Sequence, residues 1–289
     1  MTNIDVLADV FVVAMFLTGL AAGSFINVVA SRLPRMMEAA WRAECMEITN
    51  EGGPSRGAAR FDLVHPPSTC PACGHRISLL ENIPVLSYVM LGGRCSACRW
   101  RIPARYPTVE MLGAVVASAA AVHFGVGIAA AGACLLGWGL LAAGTVDLET
   151  RLLPDSITLP LLWSGLAFNV SGTFAPLGDC VIGAMAGYGV LWAVHHGFRL
   201  LTGREGMGYG DFKLLASLGA WLGWQALPAT VLLASLAGAA AGIALGALGR
   251  ASRDTRLPYG PFLATAGLLM LYCGDTITAT WHAFMTGST

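Results

Sequence analysis

Long apolar stretches alternate with short polar ones along most of the chain, and this pattern predicts membrane-spanning helices. Crossing a bilayer takes about 20 mostly apolar residues, because the hydrocarbon core is roughly 30 Å thick and a helix rises about 1.5 Å per residue. Eight stretches qualify, although the two that meet near Pro228 could also form one long kinked helix. The predicted spans are at about 6–30, 107–125, 127–146, 156–173, 178–200, 211–226, 227–249 and 258–280. The predicted fold class is therefore an all-α polytopic membrane protein.

The composition supports this fold class. Of the 289 residues, 55% are hydrophobic and 12% are charged, whereas a soluble globular protein carries about 25% charged residues. The mean hydropathy of +0.64 agrees with a membrane protein. The first predicted span lacks the basic segment that begins a secretory signal peptide, and it is longer than the usual apolar core of such a peptide. We therefore expect a retained helix.

The basic residues test the topology, because cytoplasmic loops of membrane proteins are enriched in Lys and Arg. With eight spans both termini face one side, and every Lys and Arg falls on the other side. The acids Asp5, Asp179 and Asp275 fall on the side of the termini. Both termini are therefore predicted to lie outside the cytoplasm. The basic residues are those from Arg32 to Arg105 in the first long loop, Arg151, Arg199, Arg204, Lys213, Arg250, Arg253 and Arg256.

One polar stretch, at about 31–105, is too long for a tight connection and contains ten of the seventeen Lys and Arg residues. We predict that it is a small cytoplasmic module between a first membrane helix at 1–30 and a seven-helix membrane domain at 106–289. Its part from Arg35 to Thr69, with Glu51–Arg56 in the middle, has no clear periodicity and is predicted to be an irregular insertion.

Two Cys-x-x-Cys turns, Cys70 with Cys73 and Cys95 with Cys98, lie 21 residues apart in this module. Each turn can present two thiolates to one metal, and two turns complete the tetrahedral set that a structural Zn²⁺ prefers. A pair of disulfides is the alternative, which a reducing cytoplasm disfavours. His75 could also replace one thiolate. Because so short a module buries little core, the metal would supply much of its folding free energy. The remaining cysteines have no paired spacing and are interpreted as small apolar fillers: Cys45, Cys134, Cys180 and Cys273.

Two acids stand at predicted membrane edges, where ionisable groups are costly and are therefore functional candidates. Asp147 ends an apolar run, and Asp211 closes Gly208-Tyr-Gly-Asp and opens the next span. Two carboxylates held close together can share one proton, which suits aspartic peptide hydrolysis. Gly208 and Gly210 would let an extended substrate lie alongside them.

The alternative for each acid taken singly is structural. A carboxylate at the start of a helix favours the helix dipole, and Lys213 or Arg151 could pair with it. Asp155 is expected to be the N-cap of the following span rather than a catalytic partner. Glu149 and Asp254 share the predicted side of the membrane but not the motif.

Several motifs together carry a resemblance to a known family. They are Gly23-Ser-Phe-Ile-Asn-Val28 with Arg32 and Pro34, the four paired cysteines, Glu81-Asn-Ile-Pro-Val-Leu-Ser87, Arg105-Tyr-Pro-Thr-Val-Glu110, Asp147 with Leu152-Leu-Pro-Asp155, Met207-Gly-Tyr-Gly-Asp-Phe-Lys213 and Pro258-Tyr-Gly-Pro-Phe262. In these motifs the chain resembles the type IV prepilin peptidases, within the wider group of GxGD intramembrane aspartic proteases. The insertion before Cys70 departs from the family pattern and leaves the motifs intact.

The resemblance implies a bifunctional enzyme of the bacterial inner membrane. Such an enzyme cleaves the short basic leader of prepilins or pseudopilins on the cytoplasmic side, after a glycine, and then methylates the new N-terminal residue with S-adenosylmethionine. The family's catalytic aspartates correspond to Asp147 and Asp211, and its zinc ligands to the four paired cysteines. Candidates for the methyl-donor site are Glu81, Asn82 and Glu110, although the chain has no glycine-rich nucleotide loop.

Other functions remain open at the level of the sequence. The enzyme could cleave without methylating. Acids in a helical bundle could also relay protons or bind cations for transport, although these acids lie at membrane edges and no inverted repeat is visible. A zinc-anchored scaffold without chemistry is a further alternative. The predicted partners are prepilin or pseudopilin substrates and the lipid bilayer, and no nucleic-acid partner is predicted.

Overall fold

The apolar stretches form helices in a computed structural model of the chain, which describes residues 3–49, 61–203, 207–249 and 257–286. These residues contain no β-strand beyond isolated bridges, so the all-α prediction is confirmed. Short 3-10 turns occupy Leu80–Asn82 and Trp224–Ala226. The α-helices are α1 (Asn3–Ile48), α2 (Leu86–Met90), α3 (Arg105–Phe124), α4 (Ile128–Thr150), α5 (Asp155–Asn169), α6 (Leu177–Thr202), α7 (Tyr209–Leu222), α8 (Leu227–Ala247) and α9 (Gly260–Thr286). The predictions for Glu51–Arg56, Arg204, Arg250, Arg253, Asp254 and Arg256, and for the side chain of Asp5, concern parts outside this description.

Each of the eight predicted spans corresponds to a helix, and the stretch around Pro228 forms two helices rather than one. Helices α5 and α7 have 15 and 14 residues, which is shorter than the roughly 20 residues that a span needs. The count of eight membrane crossings is therefore not confirmed. Within the described residues, five segments are long and apolar enough to cross a membrane: Leu7–Ile48, Arg105–Phe124, Ile128–Thr150, Leu177–Thr202 and Trp224–Ala247.

Helix α1 continues to Ile48, well beyond its predicted end near residue 30. Residues 35–48 were predicted to be irregular, and this is wrong, because the stretch is rich in Ala, Met and Glu and these residues favour a helix without needing an apolar face. Glu38 and Arg42 add an i,i+4 ion pair with an N···O distance of 3.6 Å. Pro34 lies inside the helix without ending it.

The chain forms two compact units, residues 1–119 and 120–289. This division follows the packing of the helices, whereas the three predicted segments follow the membrane boundary. In the first unit, glycines let α1 and the beginning of α3 approach closely: a Cβ added at Gly23 would lie only 2.5 Å from the Cα of Glu110. Such contact between two helix backbones requires a residue without a side chain.

In the second unit α7 packs against α5, α6 and α9. Its Trp221 is fully buried, and the indole Nε1 donates a hydrogen bond to the carbonyl oxygen of Leu161 in α5 at 2.8 Å. Gly165, one turn further along α5, leaves room for this ring, because a Cβ there would lie 2.5 Å from the indole Cδ1. These contacts fix α7, which carries Asp211, against α5.

Asp179 lies beyond the other end of α7. Its carboxylate accepts hydrogen bonds from Trp224 Nε1 at 3.2 Å and from Gln225 Nε2 at 2.9 Å, and both donors follow the last residue of α7. Asp211 is in the first turn of the same helix. The two acids therefore mark opposite ends of α7.

Candidate active site and metal centre

Asp147 lies in the last turn of α4 and is 5% exposed. The helix ends three residues later, where Arg151 takes a left-handed conformation (φ 58°) and donates its backbone N–H to the carbonyl oxygen of Asp147 at 2.8 Å. A non-glycine residue rarely adopts this conformation. The left-handed conformation of Arg151 ends α4 one turn after Asp147 and directs the chain toward Leu153 and the start of α5 at Asp155.

The start of α9 contacts the Asp147 carboxylate. Gly260 donates its backbone N–H to Asp147 Oδ2 at 3.0 Å, across 113 positions of sequence. A Cβ added at Gly260 would lie 2.6 Å from the same oxygen, so a side chain there would displace the carboxylate or the helix. The Pro258–Phe262 motif was noticed in the sequence, but Gly260 was not predicted as a site residue. Only the folded chain shows that it touches an aspartate.

Asp211 is 8% exposed, in the first turn of α7. The preceding Gly210 packs against Leu153, because a Cβ on Gly210 would lie 2.5 Å from the Leu153 Cβ. The Leu153 Cδ1 would also lie 3.2 Å from a Cβ on Gly260. Leu153 therefore lies between the glycine that precedes Asp211 and the glycine that contacts Asp147. The two aspartates are near enough for their charges to interact.

Asp155 was expected to be an N-cap, and the structure gives it a different role. Pro154 occupies the N-cap position, without a side-chain cap, and Asp155 is the first residue of α5. Its two carboxylate oxygens bind Lys213 Nζ at 2.6 and 2.7 Å. The N-cap prediction is wrong by one position, because the rigid φ of proline suits the helix entrance and frees the next carboxylate to pair with a cation.

His195 is a neighbour of this site that was not predicted. It is buried in α6, and neither ring nitrogen has a hydrogen-bond partner within the described residues. The ring packs 5.5 Å from the ring of Tyr209 and 5.6 Å from that of Phe212, measured between centroids. These two residues flank Asp211, so His195 contacts the segment that carries it. No spacing in the sequence distinguishes this histidine.

The four paired cysteines form a cluster in the first unit. Their sulfur atoms all lie within 4.8 Å of one another, and Cys70 Sγ lies 3.8 Å from Cys98 Sγ. Four thiolates around a zinc ion with Zn–S distances of about 2.3 Å would place neighbouring sulfurs about 3.8 Å apart. The cluster therefore has the donor set and the spacing of a metal site.

The two Cys-x-x-Cys turns share one backbone pattern. Cys70 donates its N–H to the carbonyl oxygen of His75, and Cys95 donates in the same way to Trp100, both at 2.8 Å. The residue after each second cysteine has a positive φ, 73° at Gly74 and 61° at Arg99. In each turn, backbone N–H groups point at the first sulfur. Those of Cys73 and Ala72 lower the pKa of Cys70 to about 7, which favours the thiolate that a metal needs.

A cavity of about 350 Å³ lies in the first unit, and the three predicted methyl-donor residues line it together: Glu81, Asn82 and Glu110. Glu81 already has protein partners, since its carboxylate accepts the Ser78 N–H at 2.8 Å and lies 3.4 Å from His75 Nε2. Hydrogen bonds from the Ser96 hydroxyl, and from Ser78, lower the pKa of Glu81 to about 2. Its charge is therefore maintained across the physiological range.

The described residues include apolar helices long enough to span a bilayer and a pair of buried acids at converging helix ends. They also include a four-cysteine cluster able to hold a metal. These features define a class: helical membrane proteins with an acidic site and a module that can bind a metal. Two family models match most of the chain in sequence. Residues 134–243 match the type IV leader peptidase family, and residues 17–124 match the bacterial peptidase A24 N-terminal domain.

Relatives with a common name match almost the whole chain. It is 52% identical to the prepilin leader peptidase/N-methyltransferase of Aeromonas salmonicida over 269 residues, covering 93% of this chain and 92% of the relative. It is 50% identical to the protein of the same name in Pseudomonas aeruginosa, covering 95% and 94%, and 47% identical to that of Stutzerimonas stutzeri, covering 98% and 99%. No solved structure matches the chain. The chain belongs to the type IV leader peptidase family.

Proposed function

We propose that this protein cleaves the leader peptide of type IV prepilins or pseudopilins with Asp147 and Asp211, and then methylates the new N-terminal residue. The observation that carries the proposal is the convergence of two buried aspartates from different helices in a chain of the leader peptidase family. Within the described part of the chain neither acid has an ion pair with a basic side chain, and two buried acids in that state would be unfavourable for stability alone. Hydrolysis explains why they are brought together.

The residues around the aspartates suit peptide hydrolysis. One ionised carboxylate takes a proton from the attacking water, while the other, protonated, polarises the scissile carbonyl. The backbone N–H of Gly260 holds Asp147 in orientation. Gly208 is extended (φ −83°, ψ 149°). A Cβ there would meet only Asp211 Oδ2, at 3.9 Å, within the described residues, which supports Gly208 as a place where an extended substrate binds. Gly210 packs against Leu153, so its part in substrate binding would be to let the backbone beside Asp211 lie close to α5.

Zinc is the metal that the four cysteines suit best. Soft thiolates in a compact tetrahedral set favour Zn²⁺, and four protein ligands leave no open position for substrate. The ion would therefore be structural. It would join the turn at Cys70 to the turn at Cys95 and support the wall of the neighbouring cavity, to which both residues contribute.

The cavity of the first unit suits the methyl donor, S-adenosylmethionine, which supplies an electrophilic methyl group on a sulfonium when bound. Pockets for ligands of this size have volumes of about 300–1,000 Å³. Aromatic rings of Tyr88, Trp100 and Tyr106 line the cavity and could stack on a base. The carboxylates of Glu81 and Glu110 favour a positively charged ligand. Asn82 is exposed and adds an amide that can donate and accept.

The protein is a multi-pass membrane protein, and we propose that the aspartates and the cysteine module face the cytoplasm while the termini face the periplasm. Arg151 and Lys213 lie at the end of the second unit that carries Asp147 and Asp211, whereas Asp179 lies at the opposite end of α7. This separation of charge agrees with the enrichment of basic residues on the cytoplasmic side. The surrounding lipid bilayer and the prepilin substrate are the partners that this arrangement requires.

One experiment tests both activities. The purified protein in detergent is incubated with a prepilin peptide and methyl-labelled S-adenosylmethionine, and mass spectrometry follows the loss of the leader and the gain of label. Cleavage after the leader glycine with label on the new N-terminus is expected. Cleavage without label would remove the methyltransferase part of the proposal, and neither product would reject the proposal as a whole.

A further inference from the structure

Asn27 is an unusual residue in the wall of the cavity that lies in the first unit. It is 3% exposed and lines the cavity. Its amide Nδ2 donates to the carbonyl oxygen of Tyr106 at 3.0 Å. This bond assigns the orientation of the amide, because the reverse orientation would place two oxygens in contact. The amide oxygen Oδ1 is buried and accepts no hydrogen bond from the described residues.

A buried carbonyl oxygen without a hydrogen-bond donor is unfavourable, because burial removes its hydrogen bonds to water and no protein donor replaces them. Native structures contain few such atoms, and each calls for an explanation. Here the atom belongs to a residue that lines a cavity large enough for a ligand. A hydrogen-bond donor on the ligand would complete the site.

Glu110 provides a second acceptor beside Asn27. It is 9% exposed and lines the same cavity. On α3, Glu110 follows Tyr106, the partner of Asn27, by one helical turn. On α1, Gly23 precedes Asn27 by one turn and contacts the backbone of Glu110. The two side chains therefore belong to successive turns along the contact between α1 and α3, and both line the same cavity.

The protein partners of Glu110 do not neutralise its charge. Its Oε2 accepts the backbone N–H of Val85 at 2.7 Å, and Ser24 also bonds to the carboxylate. Val85 itself has a φ of 59°, which is unfavourable for a β-branched residue. The nearby Arg32, which also lines the cavity, donates instead to the backbone oxygens of Asp62 at 3.0 Å and Pro66 at 2.7 Å.

A neutral oxygen acceptor next to a carboxylate is complementary to a group with several N–H donors and a positive charge. We propose that Asn27 Oδ1 and the Glu110 carboxylate bind a primary α-ammonium group. Two reactants of the proposed reaction carry one: the peptide whose N-terminus is exposed by cleavage, and the amino-acid portion of the methyl donor. The inference rests on the proposed methyltransferase function and assigns to it a recognition site.

The test compares ligands that differ only in the amine. In the first arm, fluorescence anisotropy measures the binding of a labelled peptide that begins with free phenylalanine and of its N-acetylated form, without methyl donor. In the second arm, calorimetry measures S-adenosylhomocysteine and its deaminated analogue. In one of the two arms, the wild-type protein is expected to bind the ligand with the free amine roughly tenfold more tightly than the ligand without it. This is the difference in affinity that one charge-assisted hydrogen bond provides. That arm identifies which reactant supplies the ammonium group.

Variants link the preference to the two residues. Asn27→Leu and Glu110→Gln are expected to lose the preference for the free amine, whereas Asn27→Asp, which keeps an oxygen acceptor, should retain most of it. Thr18→Val is the control, because it removes a hydrogen bond on α1 to Ala14, away from the cavity lining. Leader cleavage and metal content of every variant report whether it is folded.

Two results would overturn the inference: no preference for a free amine in either arm with the wild-type protein, or an unchanged preference in folded Asn27→Leu. The proposed function fails differently. In that case the wild-type protein would transfer no methyl group to the phenylalanine peptide, whatever its binding preference.

Discussion

Lys213 and Asp155 form an ion pair, with the lysine Nζ 2.6 Å from one carboxylate oxygen and 2.7 Å from the other. Lys213 follows Asp211 by two residues in α7, and Asp155 begins α5 after the short connection from Asp147. The pair therefore joins the two chain segments that carry the buried aspartates. Both side chains are partly solvent-exposed, so the pair is worth at most about 1 kcal/mol, and it positions helices rather than reacting.

The aspartates are predicted to be essential for cleavage. Asp147→Asn or Asp211→Asn should reduce leader cleavage by roughly 100-fold or more, because an amide cannot exchange the proton that acid–base hydrolysis requires. A gel assay with a prepilin substrate measures the loss. Asp155→Asn, which affects only the exposed ion pair, is the control and should stay within a few-fold of wild type. Full cleavage by either aspartate variant, or an equal loss in the control, would contradict this assignment.

The glycines that contact the acidic site are predicted to be sensitive to one methyl group. Gly260→Ala should lower cleavage by at least tenfold, because its Cβ would meet Asp147 Oδ2 at 2.6 Å and a small displacement of a catalytic group is costly. Gly210→Ala should act similarly through Leu153. Gly246→Ala is the matched control, since a Cβ there meets no described atom within 4 Å. Wild-type kinetics for Gly260→Ala would show that the contact has no role in catalysis.

The cysteine cluster is predicted to hold about one zinc ion per chain, measured by metal analysis of the purified protein. Ser substitution at Cys70 together with Cys95 should release the metal and loosen the module, which limited proteolysis would detect. Cys134→Ala, at a buried position of the other unit, should leave the metal content unchanged. Retention of zinc by the double variant would reject the site.

The two activities are predicted to be separable, because the aspartates and the cavity belong to different compact units. The Asp211→Asn variant should still methylate a peptide that begins with free phenylalanine, since that peptide carries no leader and its methylation needs no cleavage. Glu81→Gln and Glu110→Gln should lower the methylation rate more than the cleavage rate. Both rates are measured on the same preparation. If Asp211→Asn binds the peptide and transfers no methyl group, the two activities share one site.

Local features of the sequence were sufficient for most elements of the fold. The eight long helices were predicted because some 15 to 25 consecutive residues are mostly apolar, and this property needs no information about the rest of the chain. The five-residue α2 was not predicted. The cysteine cluster was predictable for the same reason, since each Cys-x-x-Cys turn forms locally and a metal requires four such ligands. The extension of α1 to Ile48 was missed because its helix propensity has no apolar periodicity.

Tertiary structure alone decided the contacts around both sites. Gly260 touches Asp147, and Gly210 touches Leu153, only because α4, α5, α7 and α9 converge at one end of the second unit. In the first unit, the unsatisfied oxygen of Asn27 is identified only by the absence of a donor around it in the described structure. Sequence patterns predict which residues avoid water or share a helix face. They do not predict which atoms from distant segments are in contact, because those contacts arise from the simultaneous packing of several helices.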